Sequence, residues 1–129
     1  MAIKRDASDI WFSKAIRHRD GHTCQNCRTM DGKMESAHIH SRRHKRIRWD
    51  ATNAVCLCHN CHRHFTEEPF AWVSWLTESY GQGYLDILIE KRNQIMKTDK
   101  KLRAEIAKHY REEFRRMESA DSRDLVSWI

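Results

Sequence analysis

Two close cysteine pairs, Cys24-Gln25-Asn26-Cys27 and Cys58-His59-Asn60-Cys61, bracket the residues of this chain best suited to chemistry. A two-residue spacer lets both sulfurs of a pair reach one ion at about 2.3 Å, and two such pairs supply the four thiolates of a tetrahedral zinc site. A shell filled by Cys24, Cys27, Cys58 and Cys61 leaves no open position, so this metal is expected to be structural. The competing readings are a redox C-x-x-C or merely buried cysteines. Two pairs in one short chain without a secretory signal favour zinc over both. The fifth cysteine, Cys56, has apolar neighbours and reads as a core residue.

Histidines form a second constellation. His38 and His40 lie between the pairs, His62 directly follows the last cysteine, and His64 comes two residues later. A chain folded at the zinc would bring the helix after Cys61 close to the segment that carries His38. Imidazoles converging there could supply a general base and the ligands of a second, open metal site. Beside them runs Arg42-Arg43-His44-Lys45-Arg46-Ile47-Arg48, whose density of Lys and Arg suits phosphate contact. Arg42, Arg43, Lys45, Arg46 and Arg48 are the candidate DNA-binding residues. An ordinary solvated charged loop is the alternative, and the position next to His38 favours DNA.

These side chains need elements to position them. Residues 9–19 predict an amphipathic helix capped by Ser8, with Ile10, Trp11, Ala15 and Ile16 on its apolar face. Asp20-Gly21 ends it. Met34 to His40 alternates as a short strand, Ala54 to Leu57 offers a second strand or an approach to the second cysteine pair, and Arg42 to Arg48 predicts a solvated loop because no core holds so much unpaired positive charge. Asp50 to Asn53 is turn chemistry, and a helix opens near Cys61. Further on, residues 69–80 predict a helix burying Phe70, Val73, Leu76 and one or both of Trp72 and Trp75, closed by Gly81. Residues 84–97 predict another, with Leu85, Leu88, Ile89 and Ile95 inward. Residues 99–118 carry a stripe of Leu102, Ile106, Tyr110, Phe114 and Met117. The aromatic residues of these helices could stack on bases, but their helical spacing favours a core. Residues 119–129 have four apolar side chains and no assigned place.

The 129 residues amount to about one domain, with 40% hydrophobic residues for a modest core. A net charge of +6 fits a polyanionic partner. No apolar run approaches the roughly 18 residues of a membrane span. The start, Met1 to Asp6, lacks the apolar core of a signal peptide, so a cytoplasmic setting is expected.

Cys24-x2-Cys27, Ala37-His38-Ile39, Asn53 and Leu57-Cys58-x2-Cys61-His62, in that order, resemble the HNH endonucleases of the His-Me finger class. The flanking Ser41-Arg42-Arg43 and Arg48-Trp49-Asp50 are similar to phage-encoded members, among them recombination nucleases of the NinG/Rap kind. The resemblance covers residues 8–66. It implies a small α+β fold: a zinc-stapled ββα-metal core over 8–66, a helical extension over 67–118 and a tail over 119–129. It implies a metal-dependent DNA endonuclease, with His38 as general base, Asn53 positioning the histidine and its loop, and His62 as the helix-borne ligand of a catalytic Mg²⁺ or Mn²⁺. Arg42, Arg43 or Arg48 would steady the charge on the phosphate, with Arg43 carried as the catalytic candidate, and His64 is a further ligand or phosphate contact. The four cysteines match the structural zinc set of many members. The setting implied is the bacterial host cell, with a homodimer or a phage or host protein partner left open. One position departs from the family. The residue before the base is usually Asp or His, a second metal ligand, and here it is Ala37. Glu35, on the same strand face, or His40 replaces it, or the ion is held more loosely; His40 ranks first for its nearness to the basic loop. The rival readings are a non-catalytic zinc-containing nucleic-acid-binding module and an interaction subunit of a phage packaging or recombination complex.

Overall fold

Asp6 begins the first helix by accepting the Ser8 amide at 3.0 Å, while the Asp9 carboxylate accepts the Asp6 amide in return. This reciprocal cap starts helix α1 at Ala7 and carries it to Arg19. Ser8, the expected cap, lies buried inside the first turn, where its hydroxyl accepts the Trp49 indole N–H. The inward stripe is Phe12, Ala15 and Ile16, spaced three and four residues apart. Ile10, two residues from Phe12, is turned outward. The computed structural model describes residues 4–129. Met1-Ala2-Ile3, part of the stretch read as lacking a signal peptide, lies outside the described residues.

Among the described residues the chain is a small α+β fold with six α-helices and one two-stranded antiparallel sheet. Strand β1 (Met34–His38) pairs with β2 (Ala54–Cys58) in the register Met34 to Cys58 and His38 to Ala54. Between them lie helix α2 (Lys45–Arg48) and a 3₁₀ turn at Ala51–Asn53, whose Thr52 amide is capped by the Asp50 carboxylate. Every residue of β2 is buried, which makes it the centre of the fold. Helix α3 (His59–Glu67) follows β2 directly. Helices α4 (Pro69–Tyr80) and α5 (Gln82–Arg92) form a hairpin at Gly81, whose φ of 86° suits glycine. Helix α6 (Lys100–Ser119), capped by Asp99, runs back against α1.

One core joins Phe12, Ala15 and Ile16 of α1 to Ile106, Tyr110 and Met117 of α6, with Trp49 and Ala54 between. Phe12→Ala in this fully buried place would cost about 3–5 kcal/mol. A second core lies under the sheet and α3, around Val55, Leu57 and Phe65, and a third, around Leu76, Leu85 and Leu88, closes the α4–α5 hairpin. The inward line on α4 is the buried Leu76 with the half-buried Trp72 and Trp75, which turns Phe70 (90% exposed) and Val73 outward, contrary to expectation. Helix α5 stops at Arg92 rather than Lys97, and Ile95 is solvent-facing. The C-terminal segment docks. Leu125 and Trp128 pack on the first core, the Trp128 amide donates to the Tyr110 hydroxyl, and Ser127 accepts the Ala51 amide. No helix among the described residues is long and apolar enough to cross a membrane.

Candidate functional site: a four-cysteine cluster beside a basic cleft

The first cysteine pair sits on a tight turn between α1 and β1. The Arg28 amide returns to the Cys24 carbonyl, and the Gln25 amide donates to the Cys56 carbonyl, tying the turn to β2. The second pair spans the β2–α3 junction. Cys58 caps α3, and its sulfur accepts the Cys61 amide at 3.4 Å. These local constraints bring all four sulfurs within 4.8 Å of one another, unpaired by any disulfide. Cys27 Sγ and Cys58 Sγ are 3.8 Å apart, which is about the edge of a tetrahedron with 2.3 Å zinc–sulfur bonds. The cluster can therefore hold a structural zinc. Burial first, then the neighbouring sulfurs, push the Cys61 thiol up to about 12; a cation at the centre removes that penalty. Cys56 is wholly buried in the second core, outside the cluster, as its apolar neighbours suggested.

Beside the cluster a cleft of about 690 Å³ opens between α1, β1 and α3. Glu35, Ser36 and His38 of β1 line it, with Asp9, Ser13 and Arg17 of α1 and His62 and Thr66 of α3. Arg5, Lys33, Ser41 and Arg42 complete its rim. The His38 ring packs against Phe12, centroids 5.6 Å apart, and its Nε2 meets the Arg48 carbonyl oxygen at 2.9 Å. A carbonyl only accepts, so Nε2 carries the proton and Nδ1 keeps its lone pair. Burial above all, with Arg42 and Arg48 assisting against Asp9 and the carbonyl bond, lowers the His38 pKa to about 4. The ring is thus neutral at pH 7.

Glu35, three residues before His38 on β1, meets α3. Its two oxygens meet different histidines of one helix turn: Oε1 lies 2.8 Å from His62 Nδ1 and Oε2 lies 3.3 Å from His59 Nδ1. Burial opposes ionisation of Glu35, but these two hydrogen bonds hold its carboxyl below the usual range. Adjacent ligands of an octahedral ion with 2.1 Å bonds lie about 3.0 Å apart. The Glu35–His62 pair has that spacing, which is also that of a direct carboxylate–imidazole hydrogen bond.

Asn53, fully buried, fixes the chain that follows His38. Its Oδ1 accepts the His40 amide at 2.9 Å, while Nδ2 donates to the carbonyls of His40 (3.0 Å) and Ile47 (3.1 Å). One side chain thereby closes both ends of the 40–47 loop.

Other candidates fall elsewhere. His40 faces Arg92 and His44, and His64 is exposed with its ring against Phe65. Neither lines the cleft with Glu35 and His62. The segment 42–48 is no solvated loop, since its second half is helix α2, with Ile47 in the interior. Arg48 is not available to DNA. It is 6% exposed and grips Asp9 bidentately, Nη2 to Oδ2 at 2.6 Å and Nε to Oδ1 at 3.0 Å. Arg46 donates to Gln94 beyond α5, Lys45 and Arg43 are exposed, and Arg42 rather than Arg43 lines the cleft. Sequence reasoning missed Asp9, Arg5, Arg17 and Lys33 as cleft residues and His59 as a partner of Glu35. Only the last left a signal, His59 and His62 being one helical turn apart. No protein-family model, curated protein or solved structure matches the chain.

Proposed function

We propose that the chain is a metal-dependent DNA endonuclease of the HNH type, built on a zinc-stapled core. The observation that carries this reading is the content of a single basic cleft. A neutral imidazole with its proton-bearing nitrogen tied back lines it together with a carboxylate–imidazole pair at metal-ligand spacing.

Hydrolysis of a phosphodiester needs an activated water, neutralised charge on the phosphoryl oxygens and help for the leaving oxygen. His38 Nδ1 takes the proton of the attacking water, and the Arg48 carbonyl, bonded to Nε2–H, stabilises the imidazolium that results. Arg42, on the rim beside His38, offsets charge developing on the phosphoryl group. Arg5, Arg17 and Lys33 bind flanking phosphates, which makes affinity fall with salt. Glu35 and His62 would hold a Mg²⁺ or Mn²⁺ ion, which when bound supplies Lewis-acid stabilisation of the phosphate and the leaving 3′-oxygen. Glu35 thus takes the part that the family gives to the residue before the base, where this chain has Ala37.

The test is conversion of supercoiled plasmid to nicked or linear DNA in Mg²⁺ or Mn²⁺, leaving 5′-phosphate and 3′-hydroxyl ends and lost in His38→Ala. Folded wild-type protein that binds DNA and cuts it with none of Mg²⁺, Mn²⁺, Co²⁺, Ni²⁺ or Zn²⁺ would instead be a zinc-containing nucleic-acid-binding module.

A further inference from the structure

The proposed mechanism leaves unused the one charge pair among the described residues that the fold has taken fully inside. Arg48 and Asp9 side chains are 8% and 3% exposed. A buried ion pair contributes little net stability, because desolvating both charges offsets their attraction, and an apolar pair of similar volume often does as well. Its place in the structure suggests what it is for. Asp9 belongs to the first turn of α1 and is already fixed there, since its Oδ2 also accepts the Asp6 amide that closes the helix cap. Arg48 ends α2, and its own carbonyl is the group that accepts His38 Nε2–H at 2.9 Å. The guanidinium further donates to the Lys4 carbonyl and lies over the Trp49 ring, 4.8 Å from its centroid. The Trp49 indole in turn donates to Ser8. The backbone at 48–49 is therefore pinned to the start of α1 by two neighbouring side chains.

We propose that the Asp9–Arg48 pair is a positioning clamp: it holds the Arg48 carbonyl in the one place where it fixes His38 as the Nε2–H tautomer, with Nδ1 turned to the cleft. The pair acts through the imidazole. A planar fork is needed, because two parallel N–H···O bonds fix orientation as a single ammonium contact does not. This inference rests on the nuclease reading for its consequence but not for its measurement.

The experiment compares wild type with Asp9→Asn/Arg48→Met, which removes both charges, keeps side-chain volume and leaves an amide oxygen for the Asp6 cap. The readouts are the two-bond ¹H–¹⁵N spectrum of the His38 ring at pH 7, the denaturant midpoint, and the single-turnover rate of plasmid cleavage. Wild type is expected to show protonated Nε2 and bare Nδ1. The double variant is expected to unfold near the wild-type midpoint, to show mixed tautomers at His38, and to cleave at least about tenfold more slowly at saturating DNA with little change in DNA affinity. If the double variant does not fold, Arg48→Lys, which keeps the charge and loses the fork, takes its place with the same expected shifts. A folded variant whose His38 stays entirely Nε2–H and whose rate stays within about twofold overturns the clamp. Because the ring spectrum is read without DNA, a tautomer shift in a protein that never cuts keeps the clamp and removes the nuclease reading instead.

Discussion

Asn53→Ala should be among the most damaging substitutions in the chain, and its cost can be worked from the hydrogen bonds. The side chain is fully buried and makes three, at 2.9, 3.0 and 3.1 Å, to the His40 amide and to the His40 and Ile47 carbonyls. Each such bond contributes about 1 kcal/mol net, and a buried partner left stranded costs about 1–3 kcal/mol more. The Ile47 carbonyl lies in the interior, whereas the His40 groups are half-buried and partly regain water. The expected loss is about 3–5 kcal/mol, a large part of the roughly 5–15 kcal/mol that holds a small domain together. Denaturant unfolding of the zinc-loaded protein gives the total. Amide hydrogen exchange gives the mechanism, because the His40 amide donates to the Asn53 side chain while the Ile39 amide donates to the Asn53 backbone carbonyl. In the variant the His40 amide should lose protection beyond the global loss, and Ile39 should track the global loss alone. A cost under about 1 kcal/mol, or equal changes at the two amides, would show that Asn53 does not hold the loop.

Metal analysis should find one tightly held zinc per chain. Cobalt in its place should give a thiolate charge-transfer band that Cys58→Ser weakens, and Cys56→Ser should leave the stoichiometry at one. Glu35→Gln and His62→Ala should raise the Mn²⁺ concentration for half-maximal cleavage by about tenfold or more, whereas His40→Ala and His64→Ala should shift it little; the reverse ranking would move the ion to the other end of the loop. Acid should expose His38. Its folded pKa of about 4 lies below the ordinary value of 6.5, so its contribution to stability is complete above pH 6.5 and is lost as pH falls through 4. The loss amounts to up to about 3 kcal/mol. Denaturant midpoints between pH 7 and 4 should accordingly fall more steeply for wild type than for His38→Gln, and parallel curves would place the effect elsewhere.

The cysteines, the strand pair and the long helices were legible because each follows from local pattern: spacing for the thiolates, alternation for β1, and the four-residue stripe of Leu102, Ile106 and Tyr110 for α6. What the sequence hid was pairing across distance. The run from 42 to 48 reads as a solvated loop if its charges are counted one by one. Asp9, 39 residues away from Arg48, turns one of those charges into an interior group, and no local rule foretells that partner. The ranking of His40 above Glu35 rested on nearness to the basic loop and left helix geometry aside. His59 and His62 share a face of α3, and Glu35 is the strand residue that meets that face. Phe70 and Val73 were misplaced for a related reason. A helix as apolar as 69–80 offers more than one stripe, and only its neighbours choose among them.

The two halves of the cleft hang from different supports, which explains why a chain with so small a core can hold a polar site. His38 is fixed from the α1 side, by the Arg48 carbonyl, the Asp9 carboxylate and the Asn53 amide, all fastened to the core that α1 shares with α6 and the C-terminal segment. Glu35 and His62 are fixed from the other side, because His62 follows Cys61 directly and its orientation is inherited from the sulfur cluster. Both strands join the two supports: β1 carries His38 and Glu35, and β2 runs from Ala54 in the first core to Cys58 in the sulfur cluster. A hydrophobic core alone would leave such side chains mobile at the surface. Here buried hydrogen bonds set one side and cysteine sulfurs gathered around a point set the other, so each polar group is held by directional bonds rather than by burial. The geometry of the cleft therefore depends on the register Met34 to Cys58 staying in step with both supports. A one-residue slip of β1 would turn His38 away from the Arg48 carbonyl and Glu35 away from His62.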